Sequence, residues 1–168
     1  MEMKIDENFV MKEEKDYGGF WIRFAANLID GIILGIPLSI IGFFLLFVVA
    51  GDPAILDKEF VSEEMVIQYV MSILLSVLLF YVIAVIVSVG YYAGMHSSKI
   101  QGTVGKMLLG LKVTDINGKR ISFWRGLGRY FAMFLSSFMM IGYLMAAFTE
   151  KKQSLHDMIA GTVVIKSK

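Results

Sequence analysis

Arg23, Asn27 and Asp30 fall at i, i+4 and i+7 in "GGFWIRFAANLIDGIILGIPLSIIGFFLLF", residues 18–47, so a helix places all three on one stripe. A cation, an amide and a carboxylate aligned in this way can hold an ion, relay a proton or line a path for a polar solute. They can equally staple helices together, with Arg23 snorkelling to a polar boundary. Two helical turns separate Arg23 from Asp30 by about 10 Å, so direct pairing needs extended side chains. At least one of the two therefore requires a partner from another segment.

Asp157, in "QSLHDMIAGTVVI", is the other isolated acid beside an apolar run. It is placed to meet Arg23, Arg125 or Arg129 and close a polar network; alternatively it caps a short helix at residues 158–162. Other patterns are weaker. "GTVGK" at 102–106 has Ile100 and Met107 where a phosphate-binding loop needs Gly and Ser or Thr. "DING" lacks the length and acids of a calcium loop. His96 and His156 have no metal-ligand spacing, and adjacency of Ser154, His156 and Asp157 does not make a triad. Nothing in these patterns points to an enzyme, a metal or a cofactor.

The elements that must position these residues are dictated by apolar patterning. Of 168 residues, 57% are hydrophobic and 18% charged, a balance that a soluble domain of this size cannot bury. Gly31 to Ala50 and Met65 to Met95 carry no charge, and each reaches the roughly 20 residues that span a bilayer core. The first membrane helix is expected from Gly19 to Val49, with Pro37 inside it, and the second from Met65 to Met95. The first run is too long, and too polar before its start, for a signal peptide. Residues 1–17 read as a flexible charged tail and 18–168 as the transmembrane domain. The absence of cysteine removes disulfides and thiolate chemistry. A net charge of +1 predicts no nucleic-acid partner.

Between the second helix and a third apolar stretch, Tyr130 to Thr149, lies the most polar interval. Within it "LKVTDINGKRI" carries Asn117–Gly118 between strand-compatible runs, which predicts a short local β-hairpin. Seven Lys and Arg residues fall between Lys99 and Arg129, whereas Lys58 is the one basic residue between the first two helices. The positive-inside rule therefore puts residues 96–129 and the N-terminus in the cytoplasm of a multi-pass plasma-membrane protein. The third stretch is ambiguous. Its length favours a full span, but that leaves Lys151, Lys152, Lys166 and Lys168 outside. Re-entry, turning near Ser136, Ser137 or Gly142, keeps them inside and demands cover for the bent backbone. The fold class expected is all-α: a small membrane bundle of about three hydrophobic segments with a short cytoplasmic β-hairpin.

Three ordered stretches carry a resemblance: "GFWIRFAANLIDGIIL" with Arg23 and Asp30, "QGTVGKMLLGLKVTDINGKRISFWRGLGRYF", and "GYLMAAFTEKKQSLHDMIAGTVVI" with Asp157. Together they resemble the RDD family of bacterial membrane proteins, named for an Arg and two Asp residues. A departure lies at His96, where many relatives carry Glu. The resemblance implies transport of unidentified ligands, with cation/proton exchange in some members, and modulation of membrane enzymes by others. Two readings follow. One is a small transporter or ion-coupled carrier, acting as an oligomer, with a cation or proton as ligand of Asp30 and Asp157. The other is a non-catalytic regulatory or inhibitory subunit of a membrane complex, such as a membrane protease. Both make the lipid bilayer the surroundings, and self-association or another membrane protein the partner.

Overall fold

A computed structural model describes residues 15–50, 62–138 and 141–167. The charged tail over 1–14 and most of the acidic interval, 51–61, lie outside the described residues. Two helices dominate. The first, α1 (Phe20–Ala50), runs without interruption through Pro37. The second, α2 (Glu63–Val89), starts where the Ser62 hydroxyl accepts the Met65 N–H and where Glu63 and Glu64 suit the positive end of the helix. It continues through a π-helical turn (Gly90–Gly94) into α3 (Met95–Ser97). The two are packed together, with the ring of Phe80 against Gly42.

Most of the large apolar side chains on α1 and α2 are exposed, Phe43 at 73% and Leu75 at 67% among them, and α2 buries no residue. In water such a surface would associate. Both helices are long and apolar enough to cross a membrane. The small core lies instead at one end, where Ala26, Leu111, Val113, Ile121 and Val164 pack together.

That end is assembled from short elements. A turn of helix, α4 (Val104–Leu108), leads into β1 (Leu111–Asp115); the amphipathic α5 (Phe123–Phe138) and α6 (Ile141–Leu144) follow. A 3₁₀ turn (Met145–Ala147), α7 (Leu155–Ala160) and β2 (Thr162–Lys166) complete the chain. The strands pair antiparallel, Leu111 opposite Lys166 and Asp115 opposite Thr162. Their outer edges are covered: Gly18 N–H donates to Val164 O and Lys166 N–H to Asp16 O on one side, and Val113 N–H donates to Gln101 O on the other. Exposed strand edges are thereby avoided.

Two expectations are corrected. The Asn117–Gly118 turn forms, with Gly118 at φ +89° and its N–H donating to Asp115 O, but it does not close a local hairpin. The partner of β1 is the C-terminal strand, because Val163 and Val164 offer β1 a buried face, whereas Gly118, Lys119 and Arg120 are exposed and Ile121 joins the core from outside the sheet. The full span favoured for residues 130–149 is not made either. Sixteen residues of α5 rise about 24 Å, short of the roughly 30 Å hydrocarbon core. The chain then reverses, bringing Gly142 so close to Ser136 that a Cβ there would lie 2.8 Å from the Ser136 Cα. Beyond α6, the chain returns to the end where α1 begins.

Candidate functional site

Buried polar residues concentrate at the same end, and they fall into two clusters. Around Asp157, two guanidinium groups converge. Arg23 donates through Nη1 to Oδ2, and Arg129 Nη2 lies 2.6 Å from Oδ1. All three side chains are buried, Asp157 completely. Asp157 is the third residue of α7, and its Oδ2 also accepts the Ser154 N–H at 3.1 Å and the Ser154 hydroxyl at 2.8 Å. "Ser-Leu-His-Asp" is thus a capping arrangement that starts a helix and aims its carboxylate at two arginines. Arg129 Nη1 donates to Thr162 Oγ1 (3.0 Å), and Arg23 Nε to Gly18 O (2.7 Å), which ties both strand β2 and the entry to α1 into the cluster.

These two cations, followed by His156 and the Ser154 hydroxyl, hold the Asp157 carboxyl well below the usual carboxylate range despite the opposing effect of burial. His156 lies between Ser154 Oγ (2.9 Å) and Ser136 Oγ (3.2 Å). Burial pushes its imidazole down to about 3, against the attraction of Asp157, and it is therefore neutral at pH 7.

Asp30 occupies the second cluster. Its Oδ1 accepts the Tyr91 hydroxyl (2.6 Å) and the Gly105 N–H (2.7 Å), and its Oδ2 accepts the Thr103 hydroxyl (2.6 Å). Lys106 Nζ lies 4.0 Å from Oδ2 and donates to Asn27 Oδ1 at 3.2 Å. Burial lowers the ammonium of Lys106 to about 8, with Arg129 contributing in the same direction. The loop "GTVGK" is therefore a cradle for a carboxylate of its own chain, not for a phosphate. Gly105 is required there: a Cβ would overlap the Ala26 carbonyl oxygen and come within 2.9 Å of Asp30 Oδ1. The π-helical turn brings Tyr91 to this carboxylate, an example of such turns placing functional side chains.

The sequence-derived residues separate accordingly. Arg23, Arg129 and Asp157 meet directly; Asn27 and Asp30 meet Lys106, and the stripe on α1 feeds both clusters. Arg125 remains exposed beside Gly161. His96 is 1% exposed, and neither ring nitrogen has a hydrogen-bond partner among the described residues. Thr103, Gly105 and Lys106 entered the sequence reading only within a rejected phosphate loop and Ser154 only within a rejected triad, while Tyr91 and Thr162 had no site role there; for Ser154 the Ser-x-x-Asp spacing was the signal available.

Between α1 and the α5–α6 hairpin lies a cavity of about 550 Å³. Arg23, Asn27, Lys106, Arg129, Ser154 and His156 line its polar part; Phe20, Phe24, Met133, Leu144 and Ala146 line the rest. Neither Asp30 nor Asp157 reaches it. The carboxylates sit behind their donors, and the cavity is offered cations.

No solved structure matches the chain. It is 43% identical over 148 residues to the uncharacterized protein YxaI of Bacillus subtilis (strain 168), covering 88% of this chain and 95% of that one. It is also 29% identical over 159 residues to the uncharacterized membrane protein YteJ of the same organism, covering 90% and 82% respectively. The RDD family profile matches residues 17–161, a span that contains Arg23, Asp30 and Asp157. The chain belongs to the RDD family of membrane proteins.

Proposed function

We propose that this protein is a small multi-pass carrier of the plasma membrane, working as an oligomer and binding its ligand in the cavity between α1 and α5–α6. One observation carries the reading: the polar stripe Arg23–Asn27 opens, together with Lys106 and Arg129, onto a cavity large enough for a small organic molecule. Because so few helices enclose little space, a path across the bilayer requires a second copy. On this reading the ligand does not bind Asp30 or Asp157. Asp157 is held by two arginines and Ser154, and Asp30 by Tyr91, Thr103 and Gly105. The N-terminus and the C-terminal sheet are assigned to the cytoplasm, supported by the Lys and Arg excess in residues 99–129 and by the pairing of residues 16–18 with β2.

The test is flux through the purified, reconstituted protein. Proteoliposomes on a solid-supported membrane are offered phosphate, acetate, hexanoate and decanoate, then sodium and proton gradients. The expected result is an anion-dependent current that Met133→Trp, filling the cavity, abolishes. A current driven by sodium or protons and lost in Asp30→Asn would move the function to the carboxylates. Silence toward every ion would remove the carrier reading.

A further inference from the structure

The cavity is lined by two chemistries, and its contents can be read from them. Three buried cations, Arg23, Lys106 and Arg129, stand at its polar part against the two carboxylates of the clusters behind. Both carboxylates are already paired with these cations, and three cations against two acids leave one cation over. Two guanidinium nitrogens are unused as well. Arg23 Nη2 and Arg129 Nε are buried and have no hydrogen-bond partner among the described residues. A buried N–H without an acceptor is costly, all the more so on a charged group. An anion in the cavity would supply the missing charge, and an acceptor for either guanidinium group that turns toward it.

The rest of the lining is largely apolar, with Phe20 and Phe24 of α1 and Met133 and Leu144 of the hairpin. Phe24 and Leu144 are each 47% exposed, as are neighbouring apolar residues of α1, so this side of the cavity opens on the surface that faces lipid. A hydrated inorganic anion gains nothing from such a wall, whereas an acyl chain gains about 0.8 kcal/mol for each methylene it buries.

We infer that the cavity binds an anionic phospholipid that enters sideways from the bilayer, its phosphate on Arg23, Lys106 and Arg129 and the start of an acyl chain along Phe24, Met133 and Leu144. This rests on the reading of the cavity as the ligand site and names the ligand's class. Arginine forks suit phosphate oxygens, and Lys106 adds a point charge.

The full chain is purified in an uncharged detergent and placed in nanodiscs of phosphatidylcholine alone or with phosphatidylglycerol. Lipid retained after re-extraction is counted by native mass spectrometry, and thermal midpoints are recorded in both discs. Wild type is expected to retain about one phosphatidylglycerol per chain and to unfold at a higher temperature in its presence. Lys106→Gln and Leu144→Trp, the second at an exposed position that tolerates a larger side chain, should each reduce retention at least about tenfold, a loss near 1.4 kcal/mol. Lys119→Gln, at the exposed turn, should leave it unchanged. Equal midpoints in the two discs, or an equal loss from Lys119→Gln, would overturn the proposal. Protection by inorganic phosphate that matches the lipid and survives Leu144→Trp would overturn the lipid but leave the cavity as an anion site. If neither probe protects and Leu144→Trp also leaves flux unchanged, the cavity reading falls with it.

Discussion

At the scale of single residues, the network around Asp157 is an arrangement of charges that have left water and must satisfy one another. Its carboxylate pairs with two buried guanidinium groups, so removing that charge without changing shape should leave both without a counterion. Asp157→Asn is expected to lower stability by about 3–5 kcal/mol, read as thermal or denaturant unfolding in detergent. A variant as stable as wild type would mean that the arginines find other anions or water. His156 gives a second prediction, in pH. It is neutral in the folded protein because burial holds it near 3, whereas the unfolded chain regains a value near 6.5. Between those values the unfolded state binds the extra proton, so stability should fall as pH drops from 6.5, by at most roughly 1.4 kcal/mol per unit. Asp157 acts lower down: its stabilisation is complete above its ordinary pKa near 3.8 and is lost only as pH falls below that. His156→Gln should make the midpoint less steep between pH 7 and 4 and leave the acid limb below that. Of this chemistry, the stripe on α1 and the isolation of Asp157 were legible in the sequence, because spacing and contrast with apolar neighbours reveal a residue that must have a partner. The donors of Asp30 were not. Gly105 acts through a backbone N–H, which no residue type announces, and Lys106 looked like one more surface cation of a basic interval.

At the scale of elements, the two clusters depend on close approaches of backbone. Helix α4 touches α1 at Gly105, and the return of the chain after α5 brings Gly142 onto Ser136. A methyl group at either place has no room, so Gly105→Ala and Gly142→Ala are each expected to cost about 1–3 kcal/mol, as overpacking does. They should fail differently. Gly105→Ala disturbs the Asp30 cradle, whereas Gly142→Ala loosens Ser136 and through it His156, shifting the pH dependence described above. Thermal unfolding of both variants at pH 7 and pH 5 separates the two effects, and identical profiles would show that the clusters act as one unit. The long helices were legible in the sequence because uncharged runs of this length have few other uses. The end of α5 was not, since twenty apolar residues suit a span and a re-entrant hairpin equally. What decides is the partner of Ser136 and Gly142, which is a tertiary contact. The sheet was misread for a related reason. Asn117–Gly118 favours a local return, but the valines that complete β1 stand some fifty residues later, and burial outweighs proximity.

At the scale of the whole molecule, the hydrophobic and polar interiors are inverted relative to a soluble domain. Apolar side chains cover the outside of α1 and α2, and buried Arg, Lys, His and Asp residues fill the end where the short elements gather. Both tryptophans, Trp21 and Trp124, are 77% exposed, and each is the second residue of an apolar helix. Indole rings favour the boundary between headgroups and hydrocarbon, which suits the starts of α1 and α5 to one membrane surface. In the arrangement proposed above, α5 and α6 enter from that surface and come back, while α1 and α2, both long and apolar enough to cross, go through. Two crossings and one re-entrant hairpin, as proposed, would leave β1, α7 and β2 on the side where α1 begins, in keeping with the pairing of Gly18 with Val164. The chain contains no cysteine, so single cysteines report this arrangement without background. Lys119→Cys and Lys151→Cys should both be protected from an impermeant maleimide in intact cells and become labelled once the membrane is opened. Lys58→Cys, between the two long helices, should be labelled from outside at once. Labelling of Lys151→Cys in intact cells together with protection of Lys119→Cys would restore a third crossing. That result would pull Asp157 away from Arg23, two residues whose side chains can meet only if the segment joining them begins and ends on one side of the bilayer.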